Sequence, residues 1–297
     1  MSKGHDILCI GSVLWDVIGR APGPMRQGAD VPGRITRLPG GVAMNIAMAL
    51  ARFGLRPSLL SAVGRDAEGD ALIAACAALG LGTDHVYRSE DLPTDRYMAI
   101  EGTNGLIAAI ADAHSLEAAG ARILRPLTQG DLGDAARPYR GLVALDGNLT
   151  RALLDEIATH PAFAAADLRV APASPGKAER LTPFLTHGRA VLYVNLEEAS
   201  ILCQQAFDGA AAAAAGLVAR GAVRALVTDG GRPAADATAA GVIALPCRPV
   251  LVTRVTGAGD TFMAAHMAAE VAGLSREAAL ARALEAAATY VSGEIPS

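Results

Sequence analysis

Short apolar runs alternate with longer amphipathic segments along most of the chain. The first run, Ile7–Ile10, ends at Gly11 and predicts a buried strand. Further strands are predicted at Ser58–Val63, Gly141–Leu145, Arg169–Ala171, Val191–Val194 and Ala225–Thr228. Helices are predicted at Val42–Phe53, Arg151–Thr159, Pro175–Leu185, Glu197–Gln205 and Ala210–Arg220, and Asp66 is predicted to cap one more. This alternation is typical of βαβ units and predicts an α/β domain whose mostly parallel sheet has helices on both faces.

One segment interrupts the alternation of strands and helices. Two β-prone runs, Tyr97–Ile100 and Leu106–Ile110, flank an Asn-Gly turn, which is a strong hairpin signal. An earlier stretch, Ala21–Gly40, is rich in Pro, Gly and Arg and is too polar for a core. Together the two segments predict a small β lid over one edge of the sheet. No composition shift marks a second domain, so we predict a single domain over residues 1–297 with lid segments at 13–38 and 95–112.

The composition narrows the classes of function. The chain has 297 residues, of which 52% are hydrophobic and 19% charged, and its net charge is -4. This balance suits a soluble, cytoplasmic protein, and the lack of a basic run argues against a nucleic-acid partner. No apolar stretch of the sequence is long enough for a membrane span, and the four cysteines lie far apart. The sequence also lacks the G-x-G-x-x-G and G-x-x-x-x-G-K-[ST] motifs, which argues against a dinucleotide-dependent enzyme and a P-loop kinase.

The candidate chemistry centres on a glycine-rich turn, Thr256–Asp260, which leads into an apolar helix. Gly257 and Gly259 allow the backbone to turn sharply close to a ligand, and the first N–H groups of the helix then form a site for an anion. Asp260 would lie beside that anion, where a carboxylate is unfavourable unless it accepts a proton. Phosphoryl transfer needs this combination of a base for the attacking hydroxyl and dipoles for the transferred group. The alternative is an ordinary glycine turn with Asp260 as a helix cap.

The same turn resembles the C-terminal signature of the ribokinase-like, or PfkB, family of carbohydrate and nucleoside kinases, usually D-T-T-G-A-G-D. The resemblance implies a three-layer ribokinase-like fold with a small β lid, and phosphate transfer from ATP. The implied site residues are the catalytic base Asp260, the anion hole of Gly257, Ala258 and Gly259, and an ATP contact at Thr256. The first Asp of the signature, which in relatives helps to hold a monovalent cation, is replaced here by Arg254. We therefore expect little activation by K⁺.

Two further motifs resemble the nucleotide side of the family's site. Asn195–Glu198 matches an N-x-x-E element, which implies that Asn195 and Glu198 order the phosphates of ATP and the water shell of Mg²⁺, with Glu198 as the water-mediated metal ligand. Thr228 and Gly230 match a T-x-G segment that contacts ATP. From the residues alone, a helix N-cap explains the first motif and a plain turn explains the second.

The remaining motifs resemble the sugar side of the family's site. Residues 11–16 resemble G-x-x-x-x-D, whose carboxylate accepts hydrogen bonds from sugar hydroxyls, and residues 40–45 match G-G-x-x-x-N. Asp112 ends the predicted hairpin, and a plain hairpin terminus explains it equally well. Asn148 follows a predicted strand. The implied substrate-binding residues are Ser12, Asp16, Gly40, Gly41, Asn45, Asp112 and Asn148.

Within the family, the sequence is most similar to the pseudouridine kinases. The features are V-T-G-A-G-D, the G-G-V-A-x-N-I-A helix start and the stretch Tyr97–Asp112. The implied reaction is phosphorylation of pseudouridine by ATP to pseudouridine 5′-phosphate. Ribose, adenosine, fructose or a fructose phosphate remain alternatives, since Arg34, Arg37 and Arg96 are available for a second phosphate. A catalytically silent nucleoside-binding regulator is an alternative class, and relatives often dimerise through the lid, so a homodimer is expected.

Overall fold

The computed structural model of the protein describes residues 7–294, so the domain predicted over residues 1–297 extends past the described part at both ends. The strands in chain order are β1 (Ile7–Ile10), β2 (Leu14–Arg20), β3 (Arg34–Gly40), β4 (Pro57–Leu60), β5 (Ala62–Gly64), β6 (Tyr87–Ser89), β7 (Arg96–Gly102), β8 (Gly105–Asp112), β9 (Leu142–Asp146), β10 (Asp167–Ala171), β11 (Ala190–Asn195), β12 (Arg224–Asp229), β13 (Arg232–Thr238) and β14 (Gly241–Leu245). The α-helices are α1 (Val42–Arg52), α2 (Ala67–Ala78), α3 (His114–Ala119), α4 (Arg125–Thr128), α5 (Arg151–Thr159), α6 (Thr182–His187), α7 (Leu196–Cys203), α8 (Ala210–Ala219), α9 (Ala258–Val271) and α10 (Arg276–Ser292). Short 3₁₀ segments lie at Gly120–Leu124, Pro161–Phe163 and Pro175–Leu181.

Eight strands form one large sheet with the order β14-β13-β12-β11-β10-β9-β1-β4. All neighbours from β12 to β4 are parallel, and β13 and β14 add an antiparallel edge. The chain places β4 on one side of β1 and the later strands β9 to β12 on the other. The carboxyl ends of β1 and β9 therefore flank the point where the strand order reverses, which is where open α/β sheets bind ligands.

Strand β1 separates two hydrophobic cores. Leu8 and Ile10 belong to one core and Ile7 and Cys9 to the other, because successive side chains of a strand point to opposite faces. Helices α3 to α8 contribute to the first core, and α1, α2, α9 and α10 contribute to the second. The predicted three-layer α/β fold, with a mostly parallel sheet between helices, is confirmed. Within the described residues, no helix is long and apolar enough to cross a membrane.

A second sheet of four strands, in the order β3-β2-β7-β8, is built from the segments around the predicted hairpin. Strands β7 and β8 form that hairpin, paired from Arg96↔Asp112 to Gly102↔Gly105. The sheet joins the large domain at Trp15, which is 7% exposed. The indole Nε1 of Trp15 donates a hydrogen bond to the carbonyl of Glu68 at 2.9 Å, and the guanidinium of Arg37 lies 4.2 Å from the ring centroid. This small sheet is therefore attached to the start of α2.

The two faces of the small sheet differ. The strand register places Asp16 and Tyr97 on one face. It places Ile35, Met98, Ile100 and Ile110 on the other face, where all four side chains are exposed. One face of the small sheet thus carries the predicted substrate ligand Asp16, and the other face carries four apolar side chains that are open to solvent.

Several predicted elements have different bounds. The predicted helix Pro175–Leu185 is a 3₁₀ segment that continues into α6, because Pro183 lacks the N–H that an uninterrupted α-helix would use. The predicted strand Ser58–Val63 is divided into β4 and β5, and β5 pairs with β6 outside the large sheet. Asp66 is the N-cap of α2, as predicted, and accepts a hydrogen bond from the N–H of Gly69.

Candidate active site

The carboxyl ends of the central strands bring most candidate residues to one edge of the large sheet. Parallel strands end at the same edge, so the segments that follow β1, β9, β11 and β12 lie side by side. This edge carries Ser12, Asn148, Asn195, Thr228 and Gly230. The sugar-side candidates lie over β1 and β9 and the nucleotide-side candidates over β11 and β12, with β10 between the two groups.

The glycine-rich turn forms the start of α9. Gly257 is its N-cap and has a φ of 87°, a left-handed conformation that glycine adopts without strain. The N–H groups of Ala258 and Thr261 are each bonded within the turn at 3.0 Å. In the described part of the chain, no group accepts a hydrogen bond from the N–H of Gly259 or Asp260. Two consecutive backbone donors at the start of a 14-residue helix are therefore open to an anion.

Asp260 lies in the first turn of α9, which packs against α1. The side-chain amide of Asn45 in α1 donates a hydrogen bond to Asp260 Oδ2 at 3.1 Å. Burial raises the pKa of Asp260 to about 7, the bond from Asn45 opposes that shift, and the charges of Asp146, Glu198 and Asp16 add to it. A carboxyl group that titrates near neutral pH is suited to accept and release a proton.

Two other carboxyl groups share this acidic environment. Burial raises the pKa of Asp16 to about 6 and the pKa of Glu198 to about 7. A Cβ atom at Gly40 would lie 2.1 Å from Asp16 Oδ2, so glycine leaves the space that this carboxylate occupies. Neighbouring carboxyl groups with raised pKa values indicate a functional site, and the charges of Asp16 and Glu198 both act on Asp260.

Ser12 and Asn148 both bind a buried carboxylate, Asp146, that the sequence analysis missed. Asp146 ends β9 and is fully buried. Its Oδ2 accepts hydrogen bonds from the N–H of Ser12 at 2.8 Å and from the Ser12 hydroxyl, and its Oδ1 accepts one from the N–H of Asn148 at 2.7 Å. The Ser12 hydroxyl also accepts bonds from the N–H of Val42 at 2.9 Å and from Asn148 Nδ2 at 3.0 Å. These bonds fill the capacity of the Ser12 hydroxyl, which therefore links β1, β9 and the start of α1.

Lys177 is a second residue that the sequence analysis missed. It lies in the 3₁₀ segment after β10, and its Nζ donates a hydrogen bond to Asn148 Oδ1, which fixes the orientation of that amide. Burial lowers the pKa of Lys177, and the charge of Arg180 lowers it further. Lys3 and Lys177 are the two lysines among the 26 basic residues of the chain. A lysine in a chain that otherwise uses arginine was therefore a signal that could have identified this position.

Asn195 and Glu198 form a capping box at the start of α7. Asn195 Oδ1 accepts a hydrogen bond from the N–H of Glu198 at 2.9 Å, and Glu198 Oε2 accepts one from the N–H of Asn195 at 2.8 Å. The helix-cap explanation of this motif is therefore correct for the fold. The other carboxylate oxygen, Oε1, accepts no hydrogen bond from the described residues, so it is open to a ligand.

The remaining candidates lie at the margins of this edge. Gly41 is the N-cap of α1, next to the Ser12 network. The carbonyl of Thr256, which precedes the turn, accepts a hydrogen bond from the Tyr290 hydroxyl at 2.8 Å. Asp112 Oδ1 lies 2.9 Å from His114 Nδ1, and the strand register places Asp112 on the face of the small sheet opposite to Asp16. The structure thus does not bring Asp112 together with Asp16.

Comparisons with known proteins identify the family. The profile of the pfkB family carbohydrate kinase matches residues 5–294. The chain is 28% identical to the pseudouridine kinase of Escherichia coli (strain K12) over 274 residues, which are 89% of this chain and 83% of that protein. It is 28% identical to the ribokinase of Bacillus subtilis (strain 168) over 292 residues, 97% of this chain and 93% of that protein. Its match to the uncharacterized sugar kinase YeiI of Escherichia coli (strain K12), at 32% identity, spans 50% of this chain and 40% of that protein.

A solved structure supports the same fold. Ribokinase of Arabidopsis thaliana, complexed with ribose and ATP, superimposes with a TM-score of 0.74 at 21% identity and covers 97% of this chain and 92% of that one. The family match over nearly the whole chain, together with relatives that are kinases, identifies a phosphotransferase that uses an alcohol group as acceptor. The chain belongs to the PfkB family of carbohydrate kinases, as its resemblance to the D-T-T-G-A-G-D signature implied.

Proposed function

We propose that the protein phosphorylates a sugar hydroxyl of a nucleoside at the expense of ATP, with pseudouridine as substrate and pseudouridine 5′-phosphate as product. The observation that carries the proposal is the start of α9. There the open N–H groups of Gly259 and Asp260 lie beside a carboxyl group whose pKa is raised to about 7. An anion site next to a titratable base is the arrangement that phosphoryl transfer to an alcohol requires.

Asp260 is the general base in this proposal. Its Oδ2 is held by Asn45 at 3.1 Å, which leaves Oδ1 for the hydroxyl of the substrate. The carboxylate accepts the hydroxyl proton as the oxygen attacks the γ-phosphorus of ATP, and ADP leaves with the electrons of the broken bond. The raised pKa of Asp260 helps at this moment, because a base that titrates near the working pH is both ionised and able to hold the proton.

The open N–H groups at the start of α9 stabilise the transferred group. During transfer, negative charge spreads over the equatorial oxygens of the phosphoryl group. Backbone dipoles that already point at these oxygens need no reorganisation. We assign the turn formed by Gly257, Ala258 and Gly259 to this anion hole, with the N–H groups of Gly259 and Asp260 as its open donors, because the N–H of Ala258 is bonded to the carbonyl of Val255. Thr228, Gly230 and Thr256 are assigned to contacts with ATP.

Magnesium fits the donor set on the nucleotide side. Glu198 has one carboxylate oxygen held by the N–H of Asn195 and one without a partner among the described residues. Those residues contain no group of three or more His, Cys, Asp and Glu side chains that could hold a metal. Mg²⁺ commonly keeps several waters and uses one carboxylate together with substrate phosphates, where it supplies charge neutralisation. Glu198 would hold such an ion through water.

The sugar end recognises the substrate. We assign Asp16 to accept hydrogen bonds from sugar hydroxyls. Asn45 holds Asp260, the general base that accepts the proton of the reacting hydroxyl. Asn148 is bonded to Lys177, Ser12 and Asp146, and one N–H of Lys177 is used in this way. The remaining N–H groups of Lys177 are donors for an acceptor oxygen of the bound substrate. Gly40 and Gly41 are assigned to the sugar side through the groups that they pack against, because a Cβ atom at Gly40 would clash with the Asp16 carboxylate and one at Gly41 with the Ser12 carbonyl. Asp112 pairs with His114 on the face of the small sheet opposite to Asp16, so it is left out of the proposed sugar end.

Two relatives favour different substrates. The Escherichia coli relative is a pseudouridine kinase and the Bacillus subtilis relative is a ribokinase, both at 28% identity. The V-T-G-A-G-D turn and the stretch Tyr97–Asp112 favour the nucleoside. Ribose is the second candidate, because the match to the ribokinase spans 97% of this chain.

The small sheet is proposed as a lid that also joins two subunits in the cytoplasm. Its exposed apolar face, formed by Ile35, Met98, Ile100 and Ile110, fits a second copy of the same face, because isologous contacts bury equal patches. Sedimentation of the wild type and of an Ile35→Asp, Ile110→Asp variant tests this contact; monomers at every concentration of the wild type would reject it.

An ATP-consumption assay with Mg²⁺ tests the proposed function. The panel contains pseudouridine, uridine, adenosine, ribose, fructose and fructose 6-phosphate. Turnover of pseudouridine with phosphate at the 5′ position is the expected result. Turnover of ribose alone would keep the mechanism and replace the substrate, whereas folded protein that binds ATP without turning over any acceptor would favour a silent nucleoside-binding regulator.

A further inference from the structure

The segment that precedes the anion-binding turn is held by the carboxyl end of α10. The carbonyl of Val291 accepts hydrogen bonds from the N–H of Thr253 at 2.8 Å, the Thr253 hydroxyl at 3.1 Å and the N–H of Arg254 at 3.2 Å. Val255, which follows in this segment, is 70% exposed and adds little packing. Polar contacts with α10 therefore determine where this segment lies.

Arg254 reinforces the attachment with its side chain. Its Nε donates a hydrogen bond to the carbonyl of Tyr290 at 2.7 Å, and its guanidinium lies 3.9 Å from the centroid of the Tyr290 ring. A cation at a helix carboxyl end interacts favourably with the last carbonyls, and a guanidinium over an aromatic face adds a cation–π attraction. Arg254 thus orients the ring of Tyr290 as well as the segment that carries Arg254.

Tyr290 connects α10 directly to the glycine-rich turn. Its hydroxyl donates a hydrogen bond to the carbonyl of Thr256 at 2.8 Å. A Cβ atom at Gly257 would lie 2.6 Å from that hydroxyl, so the phenol lies directly against the N-cap of α9. The peptide unit between Thr256 and Gly257 sets the direction in which α9 begins. The open N–H groups of Gly259 and Asp260 follow within one helical turn.

We propose that Tyr290 and Arg254 are positioning residues that fix the start of α9, and with it the anion hole and the base Asp260. This inference rests on the proposed phosphoryl transfer. It adds that the accuracy of the anion hole is set from α10, a helix that carries none of the residues assigned to substrate, ATP or metal. Small displacements of preorganised donors are costly in rate, because their alignment with the transferred group is lost.

The most specific test is the Tyr290→Phe variant, since it removes the hydrogen bond to the Thr256 carbonyl and keeps the aromatic ring under the Arg254 guanidinium. We expect kcat with Mg²⁺-ATP and pseudouridine to fall about five- to twentyfold, with the KM for pseudouridine unchanged, because the misplaced anion hole and base act in the transition state. Arg254→Met should have an effect of at least this size. Arg254→Lys, which keeps the charge but loses the planar stack, should lie between Arg254→Met and the wild type.

A second arginine–tyrosine stack provides matched controls. Arg122 lies 5.1 Å from the centroid of the Tyr87 ring and donates a hydrogen bond to the Tyr87 hydroxyl at 3.0 Å, away from the turn. Tyr87→Phe and Arg122→Met should leave kcat at the wild-type value. An equal loss of kcat in Tyr87→Phe and Tyr290→Phe would overturn the proposal, because the effect would then be a general cost of loosening the fold.

Hydrogen exchange of the protein without nucleotide separates this proposal from the proposed function. The N–H groups of Ala258 and Thr261 are bonded within the turn. Their exchange should accelerate about tenfold in Tyr290→Phe and stay unchanged in Tyr87→Phe, as expected when one local hydrogen bond is lost. Unchanged exchange over residues 253–262 in Tyr290→Phe would overturn the positioning role whatever the activity. Accelerated exchange in a protein that phosphorylates no acceptor would keep that role and reject the kinase assignment instead.

Discussion

The two ends of the candidate site are built in opposite ways. At the sugar end, Ser12, Asp146 and Asn148 satisfy one another's hydrogen bonds in a buried network. At the phosphate end, the N–H groups of Gly259 and Asp260 have no acceptor among the described residues. A satisfied network is stiff and holds a shape, whereas donors without an acceptor in the protein are free to bind an incoming anion. In the proposed mechanism, the sugar end would therefore define a fixed pocket and the phosphate end would supply donors to the transferred group.

The largest expected effect comes from removing the base at the phosphate end. Asp260→Asn keeps the shape of the side chain and its contact with Asn45 but cannot accept the hydroxyl proton. We expect turnover to fall by about 10²–10⁴, the usual contribution of a positioned base, with ATP binding retained. Steady-state assays and calorimetric titration with ATP measure the two quantities. Unchanged turnover would show that Asp260 is not the base.

Thermal melting of the same variant provides its control. The folded-state pKa of Asp260 is raised to about 7, so the favourable protonated form is fully present below the unfolded value near pH 4 and its contribution to stability is lost as the pH rises through about 7. Asp260→Asn should therefore stabilise the protein more at pH 8 than at pH 5. A variant that melts below the wild type at pH 8 would have lost activity through its fold.

The next effect tests the satisfied network at the sugar end. Asp146→Asn replaces an acceptor by an N–H₂ group that faces the donors of Ser12 and Asn148. An unsatisfied buried group costs about 1–3 kcal/mol in the free energy of unfolding, and the distorted pocket should raise the KM for the nucleoside while the KM for ATP stays constant.

Asp134→Asn is the matched control for this substitution. Asp134 also accepts bonds from two backbone N–H groups, those of Ala136 and Arg137, but it does so in an exposed turn. The Asp134→Asn variant should have the melting temperature of the wild type and unchanged KM values for ATP and for the nucleoside. If Asp146→Asn raised the KM for ATP and left the KM for the nucleoside unchanged, the division of the site into two ends would be wrong.

The pH dependence of kcat/KM tests the assignment of Asp260 as the base at the phosphate end. Because the pKa of Asp260 is raised to about 7, the ionised base becomes scarcer below that pH, and kcat/KM should fall about tenfold per unit on the acid side. Glu198 also has a pKa raised to about 7, so Glu198→Gln serves as the control. The acid limb should persist in Glu198→Gln, although activity is lower. Loss of the limb in that variant would assign it to Glu198.

The smallest expected effect concerns monovalent cations. Arg254 places a fixed positive charge where the family signature has an Asp, and its guanidinium is bonded to the carboxyl end of α10. Replacement of Na⁺ by K⁺ should therefore leave the rate unchanged at constant ionic strength. A large increase in rate with K⁺ would contradict this expectation.

The sequence predicted the fold where its signals were local. The strand–helix alternation predicted the sheet, and Asn104-Gly105 predicted the β7–β8 hairpin. The bounds were wrong where tertiary contacts decide them, as at Ser61, where the chain leaves the large sheet for a separate pairing of β5 with β6. The antiparallel edge of β13 and β14 was missed, because its polar and apolar residues do not alternate regularly.

The same distinction applies to the candidate site. The turn at residues 256–260 and the capping box at Asn195 are contiguous, so their residues could be identified from spacing. Asp146 acts on Ser12 across 134 residues of sequence, and only the adjacency of β1 and β9 brings the two together. Lys177 and Tyr290 likewise act on residues that are distant in the chain, at Asn148 and Thr256.

The attachment of the small sheet through Trp15 has a spectroscopic consequence. Trp15 is the single tryptophan of the chain, so fluorescence excited at the red edge of the protein's absorption comes from this indole alone. Trp15 precedes Asp16 in the chain. The guanidinium of Arg37 lies over its ring, and its Nε1 is bonded to the carbonyl of Glu68 at the start of α2. A hinge movement of the small sheet that altered these contacts would change the polarity and quenching around this indole. Trp15 would therefore serve as an intrinsic optical probe of closure by the proposed lid, and its fluorescence would measure the rate of such a movement without an added label.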